Sequence, residues 1–181
     1  MLELKDASLA RNGQQLFANL SFMALDGQIT TVTGPRGCGK TALLQTMLGL
    51  LALDEGLVSI DGELLTPLSA PTFRRMMAYV PQKVNLNANL NLNVNMAGLE
   101  TVWSPYNSRR YQPTPIEEPL DLPPMASKQV IVADEPDAAL WATLRQLAAA
   151  GRTVVAATTV ADYLNQSDKI ITLGKHDTVI S

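Results

Sequence analysis

Two short stretches carry residue types at spacings that could handle a phosphate chain. The first is GPRGCGKT, comprising Gly34, Pro35, Arg36, Gly37, Cys38, Gly39, Lys40 and Thr41. It fits G-x-x-x-x-G-K-[ST], a loop whose backbone N–H groups converge on phosphate oxygens. Side chains would obstruct that approach, and Gly34, Gly37 and Gly39 remove the obstruction. A helix opening at the end of the loop adds the positive end of its dipole. Lys40 can reach the outer phosphates as a mobile point charge, and the Thr41 hydroxyl suits Mg²⁺. The second stretch is VIVADEP, which sets Asp134 and Glu135 at the end of an apolar run. An aspartate there can hold Mg²⁺ through water, and a glutamate beside it can polarise an attacking water. The structural alternative makes both acids N-cap and first-turn residues of the following helix, where Asp and Glu are favoured anyway.

The elements around these stretches suit the chemistry. GQITTVTG is a short β-branched run that predicts a buried strand leading into the glycine loop, and apolar residues at helical spacing predict a helix from Gly39 to Leu50. LELKDASL and LFANLSFMAL read as strands, GLVSIDGELL as a hairpin turning at Asp61-Gly62, PTFRRMM as a short helix and AYVPQ as a strand running into a loop. After the carboxylates, DAALWATLRQLAAAG predicts an amphipathic helix stopped by glycine. It is followed by the strand RTVVAAT, the short helix VADYLNQS and the terminal strands KIITLG and DTVIS. Short apolar strands alternating with helices predict an α/β fold with a mainly parallel sheet covered on both faces.

The 181 residues are 46% hydrophobic and 17% charged, with a mean hydropathy of +0.06, as expected for one globular domain over 1–181. A net charge of -3 and a pI near 5.1 supply no whole-chain attraction to nucleic acid, and no nucleic-acid partner is expected. The single cysteine, Cys38, excludes an internal disulfide. No apolar run approaches the roughly 20 residues that span a bilayer, and the N-terminus lacks signal-peptide blocks, so a cytoplasmic location is expected.

Four features then occur in order: the glycine loop, DEGLVSIDG after the first helix, YVPQ with Gln82, and VIVADEPDAAL. Together they resemble the nucleotide-binding domain of ABC transporters over most of 1–82 and 128–173. The resemblance implies a P-loop NTPase fold: an ABC-type ATPase core whose mainly parallel sheet is joined by an N-terminal antiparallel β portion. It implies ATP and Mg²⁺ as cofactors. Lys40 would grip phosphate, Thr41 and Gln82 would meet the metal, Asp134 would support it and Glu135 would be the general base. The implied partners are a transmembrane transporter subunit and a second ATP-binding domain, placing the chain against the cytoplasmic face of a membrane.

Departures from the family pattern are equally specific. No LSGGQ-type signature lies between Gln82 and Asp134, and that interval of about fifty residues is too short for the usual helical arm plus signature helix. Counting nine back from Asp168, where the family carries a histidine, lands on Thr159. Threonine can donate a hydrogen bond but cannot bring a positive charge. The lone His176 falls beyond that helix and reads as a surface residue. The loop after the carboxylates ends Ala-Leu-Trp141 where the family ends Ala-Leu-Asp. Arg11 stands where an aromatic often stacks on adenine; its planar guanidinium can stack on a base, or it is a solvated loop charge. The expectation is an ATP-binding subunit that hydrolyses slowly or only with a partner. The alternatives are a non-hydrolysing regulatory or scaffolding module and a soluble ABC-type ATPase without a transporter.

Between the two halves of the match, asparagine alternates with apolar or small residues from Val84 to Asn95, and 103–125 holds six of the eleven prolines. A remodelled insertion at about 84–127 and a reduced helical subdomain are expected. For the asparagine run, an edge strand, an Asn-faced self-association surface, an irregular loop and a helix over about 90–99 all stay open.

Overall fold

A computed structural model describes residues 1–82 and 128–174, together with the backbone of 178–180. The asparagine run, the proline-rich stretch, the interval lacking a signature and His176 lie outside the described residues.

Two sheets form the frame. The first is antiparallel, in the order β2-β1-β4-β5, from β1 (Leu2–Arg11), β2 (Gln14–Ala24), β4 (Glu55–Ile60) and β5 (Glu63–Leu64). Its last hairpin turns at Asp61 (φ 52°) and Gly62 (φ 82°), the two positive φ values of the tight turn that Asp-Gly favours. The second sheet has the order β10-β9-β3-β8-β7-β6. It comprises β3 (Ile29–Thr33), β6 (Met77–Val80), β7 (Val130–Asp134), β8 (Thr153–Ala157), β9 (Lys169–Leu173) and β10 (Thr178–Ile180). Its pairings are parallel except for β9 with β10. The helices are α1 (Lys40–Met47), α2 (Ala70–Met76), α3 (Ala138–Ala149) and α4 (Ala161–Leu164). Among the described residues the expected fold class is present, with its parallel sheet and antiparallel portion.

β7 and β8 are buried along their whole length, as strands covered on both faces must be. One face of β7 and β8 (Val130, Val132, Val155, Ala157) packs with Leu43, Leu44 and Met47 of α1 and the inner residues of the antiparallel sheet. The other (Ile131, Ala133, Val154, Ala156) packs with Trp141, Leu144 and Leu147 of α3.

Helix α1 is shorter than its apolar pattern predicts. It ends at Met47, not Leu50, because Gly49 takes the left-handed conformation (φ 66°). The Gly49 N–H donates to Thr46 O (3.0 Å) and the Leu50 N–H to Gln45 O (2.8 Å), the paired bonds that close a helix at glycine. Helix α3 is capped by Asp137, whose side chain accepts from the Leu140 N–H at 2.8 Å. That cap excludes Asp134 and Glu135 as the capping residues and puts Trp141 in the first turn of the helix expected over DAALWATLRQLAAAG, not at the loop end that the family pattern marks.

Candidate functional site

β3 lies between β8 and β9, so the loop leaving its carboxyl end emerges where the connections on its two sides diverge. Ligands of open α/β sheets bind at that edge. The loop from Gly34 to Gly39 connects β3 to α1 by a sharp reversal. Gly34 has φ 142°, and a Cβ there would lie 2.4 Å from Leu173 O and 2.8 Å from Cys38 Sγ. Only glycine fits. Around Gly37, no atom of the described residues other than its chain neighbours lies within 4 Å of a Cβ position, so among them this part of the loop borders open space. Arg36 is exposed and Cys38 buried, and the Cys38 N–H donates to Pro35 O at 3.3 Å. α1 begins after Gly39 with no side-chain cap and no acidic residue in its first turn. Its leading N–H groups lack intrahelical partners and face the same edge.

The side chains gather on this frame. Lys40 Nζ donates to Gly34 O at 2.8 Å and Pro35 O at 3.4 Å. The Thr41 hydroxyl donates to Asp134 Oδ2 at 2.7 Å, joining the first turn of α1 to the end of β7. Asp134 is only 3% exposed. Glu135 is held with φ 49° by the bond from its N–H to Ala157 O (2.8 Å), a conformation that L-residues adopt at a cost. Gln82 is exposed two residues beyond the end of β6, and Val80 pairs with Ala133, so Gln82 and Asp134 leave neighbouring strands at one edge. Arg11 is engaged elsewhere. Its guanidinium donates to Ala10 O (2.8 Å) and Ala52 O (3.2 Å) and faces Asp54 Oδ1 at 3.8 Å.

Tyr79 belongs to this neighbourhood, and sequence reasoning passed over it. It pairs with Val132 on β7, and alternation puts Val132 on the face that also carries Asp134. Burial pushes the Tyr79 hydroxyl up to about 12, with the charge of Asp134 adding to the shift, so the phenol stays neutral beside the carboxylate. The register of YVPQ against VIVAD is the signal that could have found it.

Residues 17–168 match the family model described as ABC transporter. The chain belongs to the ABC transporter family. Three curated relatives of this ABC-family chain illustrate the match. The cytochrome c biogenesis ATP-binding export protein CcmA of Idiomarina loihiensis is 43% identical over 63 residues, which is 35% of this chain and 29% of that protein. CcmA of Hahella chejuensis is 34% identical over 96 residues, 53% of this chain and 45% of the relative. The intermembrane phospholipid transport system ATP-binding protein MlaF of Escherichia coli K12 is 33% identical over 100 residues, 54% and 37% of the two chains. The matched segments thus span less than half the length of each relative.

Among solved structures, the ATP-binding subunit of an ABC transporter superposes with a TM-score of 0.67 at 18% identity, covering 99% of this chain and 89% of that one. A dimeric ATP-binding cassette in a post-hydrolysis state, bound to ADP and Pi, gives 0.67 at 17% identity, covering 99% and 98%. At these identities the likeness establishes the ABC ATPase fold.

The residues of this ABC-family chain fit a nucleotide with a divalent cation. The uncapped α1 terminus and the open ground beside Gly37 suit phosphate oxygens. A threonine hydroxyl on a buried carboxylate is a hard-oxygen set of the kind Mg²⁺ takes. Thr159 is exposed just beyond the end of β8. The preceding Thr158 is buried, donates its N–H to Val32 O (3.0 Å) and accepts from the Val160 N–H (3.1 Å).

Proposed function

We propose that the chain is the ATP-binding subunit of a transporter-like assembly, binding Mg–ATP at the carboxyl edge of its parallel sheet. The Thr41–Asp134 bond carries this reading: it sets a hydroxyl and a carboxylate 2.7 Å apart, at the helix end where phosphates would lie. The glycine loop holds the phosphates by backbone N–H groups, and Lys40 leaves its carbonyl partners to pair with them. Thr41, Gln82 and Asp134 hold the metal, directly or through water. Bound magnesium neutralises phosphate charge. Glu135 orients the attacking water, and Arg11 reaches the base only by giving up its bonds to Ala10 and Ala52.

The chain turns ATP over slowly by itself, since it carries neither a signature sequence nor an imidazole at Thr159. Losing one charge-stabilising group of this kind costs on the order of 10²- to 10³-fold in rate. A second ATP-binding domain and a transmembrane subunit are its partners, and it sits on the cytoplasmic face of the membrane. The domain comprises 1–181 with a remodelled insertion at about 84–127.

Calorimetry with magnesium and ATP tests the binding claim. The wild type releases heat, and Lys40→Ala weakens binding at least ~10²-fold, equivalent to ~2.7 kcal/mol, with its melting temperature unchanged. No heat from the wild type overturns the reading.

Thr159 favours a second reading, a module that binds ATP to hold a conformation and never hydrolyses it. Glu135→Gln separates the two: it abolishes residual release of radiolabelled phosphate under the first reading and leaves biological activity unchanged under the second. Recovery of the wild-type chain free of membranes points to a soluble ATPase without a transporter.

A further inference from the structure

Helix α4 has four residues, none of them buried. A single turn of helix is unstable alone, so its place is set by what it docks on. Its Tyr163 ring stacks on Trp141 of α3, with centroids 4.5 Å apart and planes 11° from parallel. Gln166, just past α4, accepts from Trp141 Nε1 at 3.1 Å and from Arg145 Nη1 at 3.0 Å. The next turn is tied to β3: Ser167 Oγ donates to Tyr163 O (2.7 Å) and lies 2.5 Å from Thr31 Oγ1. The chain entering α4 is the turn Thr158–Val160. The Thr158 N–H donates to Val32 O, two residues before Gly34, and the adjoining Ala157 O accepts from the Glu135 N–H. The turn therefore lies between the phosphate loop and the carboxylate turn, and α4 is the lever attached to it.

We propose that Trp141 is a positioning residue: through Tyr163 and Gln166 it fixes α4, and so holds Thr158–Val160, with the exposed Thr159 hydroxyl, between the phosphate loop and Glu135. The functional half of this statement rests on the reading that the phosphate loop binds Mg–ATP; the geometric half does not. Trp141 is also 3% exposed and part of the apolar core under α3. A filler role predicts a general loss of stability when it is cut back, whereas a positioning role predicts a local one.

Hydrogen exchange read by mass spectrometry on the full chain separates the two. Trp141→Leu removes the stack and the indole N–H, Trp141→Phe keeps a ring for Tyr163, and Gln166→Ala removes the bridge at an exposed position. For Trp141→Leu, amides of 158–164 exchange roughly tenfold faster, while those of β3, β7 and β8 keep their rates. Trp141→Phe restores most of the protection, and Gln166→Ala gives an intermediate, equally local effect. In single-turnover hydrolysis Trp141→Leu slows the chemical step by about tenfold through misplacement alone, with Mg–ATP affinity unchanged and Trp141→Phe close to wild type. The positioning role is overturned if exchange rises uniformly, or if 158–164 is unaffected in both Trp141→Leu and Gln166→Ala. Should Trp141→Leu fail to fold, Gln166→Ala and Trp141→Phe decide between the two roles. If the wild type neither binds nor hydrolyses ATP, the functional reading fails, while the exchange data still decide whether Trp141 fixes the turn.

Discussion

The two ends of the parallel sheet are built on opposite terms. At the amino end the charged groups satisfy one another. The Met1 ammonium donates to Asp26 (2.6 Å) and Asp61 (2.8 Å), while Asp26 also accepts from Thr153 at the start of β8 and Asp61 from Gln129 just before β7. At the carboxyl end, polar groups are gathered without being used up. Among the described residues, Lys40 donates to loop carbonyls alone and the α1 terminus has no side-chain cap, while Glu135 is kept in a left-handed backbone. Groups that close on each other hold strands in register, whereas groups left open or strained are the ones a ligand can recruit.

Glycines give the widest separation between the two ends. Gly34→Ala forces a methyl into Leu173 O and Cys38 Sγ, an overlap that costs about 1–3 kcal/mol and shifts the loop that would hold phosphate. Gly27, at the amino end, has φ 79°, and among the described residues beyond its chain neighbours a Cβ there meets nothing closer than Ala148 O at 3.8 Å, so Gly27→Ala loses about 1 kcal/mol from backbone strain alone. Chemical denaturation and calorimetry on both variants check this. The contrast breaks if Gly27→Ala also loses nucleotide affinity, or if Gly34→Ala keeps it.

Much of this carboxyl end was legible beforehand. The phosphate loop and the Asp-Glu pair are read from fixed local spacing, and local spacing survives folding: Thr41 and Asp134 do meet. The strands read from GQITTVTG, RTVVAAT and KIITLG match β3, β8 and β9, because short β-branched runs beside glycine favour strand. A misreading came where one residue outweighs a periodic pattern. The apolar rhythm of TMLGLL carried the predicted α1 to Leu50, but Gly49 stops it at Met47. The residue pattern of DAALWATLRQLAAAG already places Trp141 in a helix, which the Asp137 cap starts at Ala138; only the family's loop pattern points elsewhere. The stacking of Trp141 on Tyr163 joins positions far apart in sequence, and no local pattern announces such a contact.

Glu135 sharpens the contrast in the other direction, because its conformation costs stability. Glu135→Gly removes the left-handed penalty at φ 49° and raises stability by up to about 1 kcal/mol, after allowing for the greater freedom glycine gives the unfolded chain. The same substitution removes the proposed general base, so turnover disappears as the melting temperature rises. A drop in stability instead would mean that the Glu135 side chain does more for the fold than its backbone costs.

Asp26 produces the smallest effect, and its pH dependence identifies its source. The hydrogen bond from the Met1 ammonium, then that from Thr153, holds its carboxyl below the usual 3.8. A depressed folded value stabilises the protein above the unfolded value, and this contribution is lost as pH falls through the folded one. The Met1 ammonium behaves oppositely. Burial opposes its charge, but Asp26 and Asp61 outweigh that and raise it above 8.0, so its contribution is complete below pH 8 and fades as pH rises through the raised value. The wild type is therefore more stable than Asp26→Asn chiefly between about pH 5 and 8. Because the carboxylate is 52% exposed, solvent screening keeps the difference under about 1 kcal/mol. Urea titrations across the acid, neutral and alkaline range should show the gap widest near pH 6.5 and narrowing toward either end, with Mg–ATP affinity equal in both proteins at pH 6.5. A gap that does not narrow as pH falls would assign the effect to packing around Thr153 instead of charge.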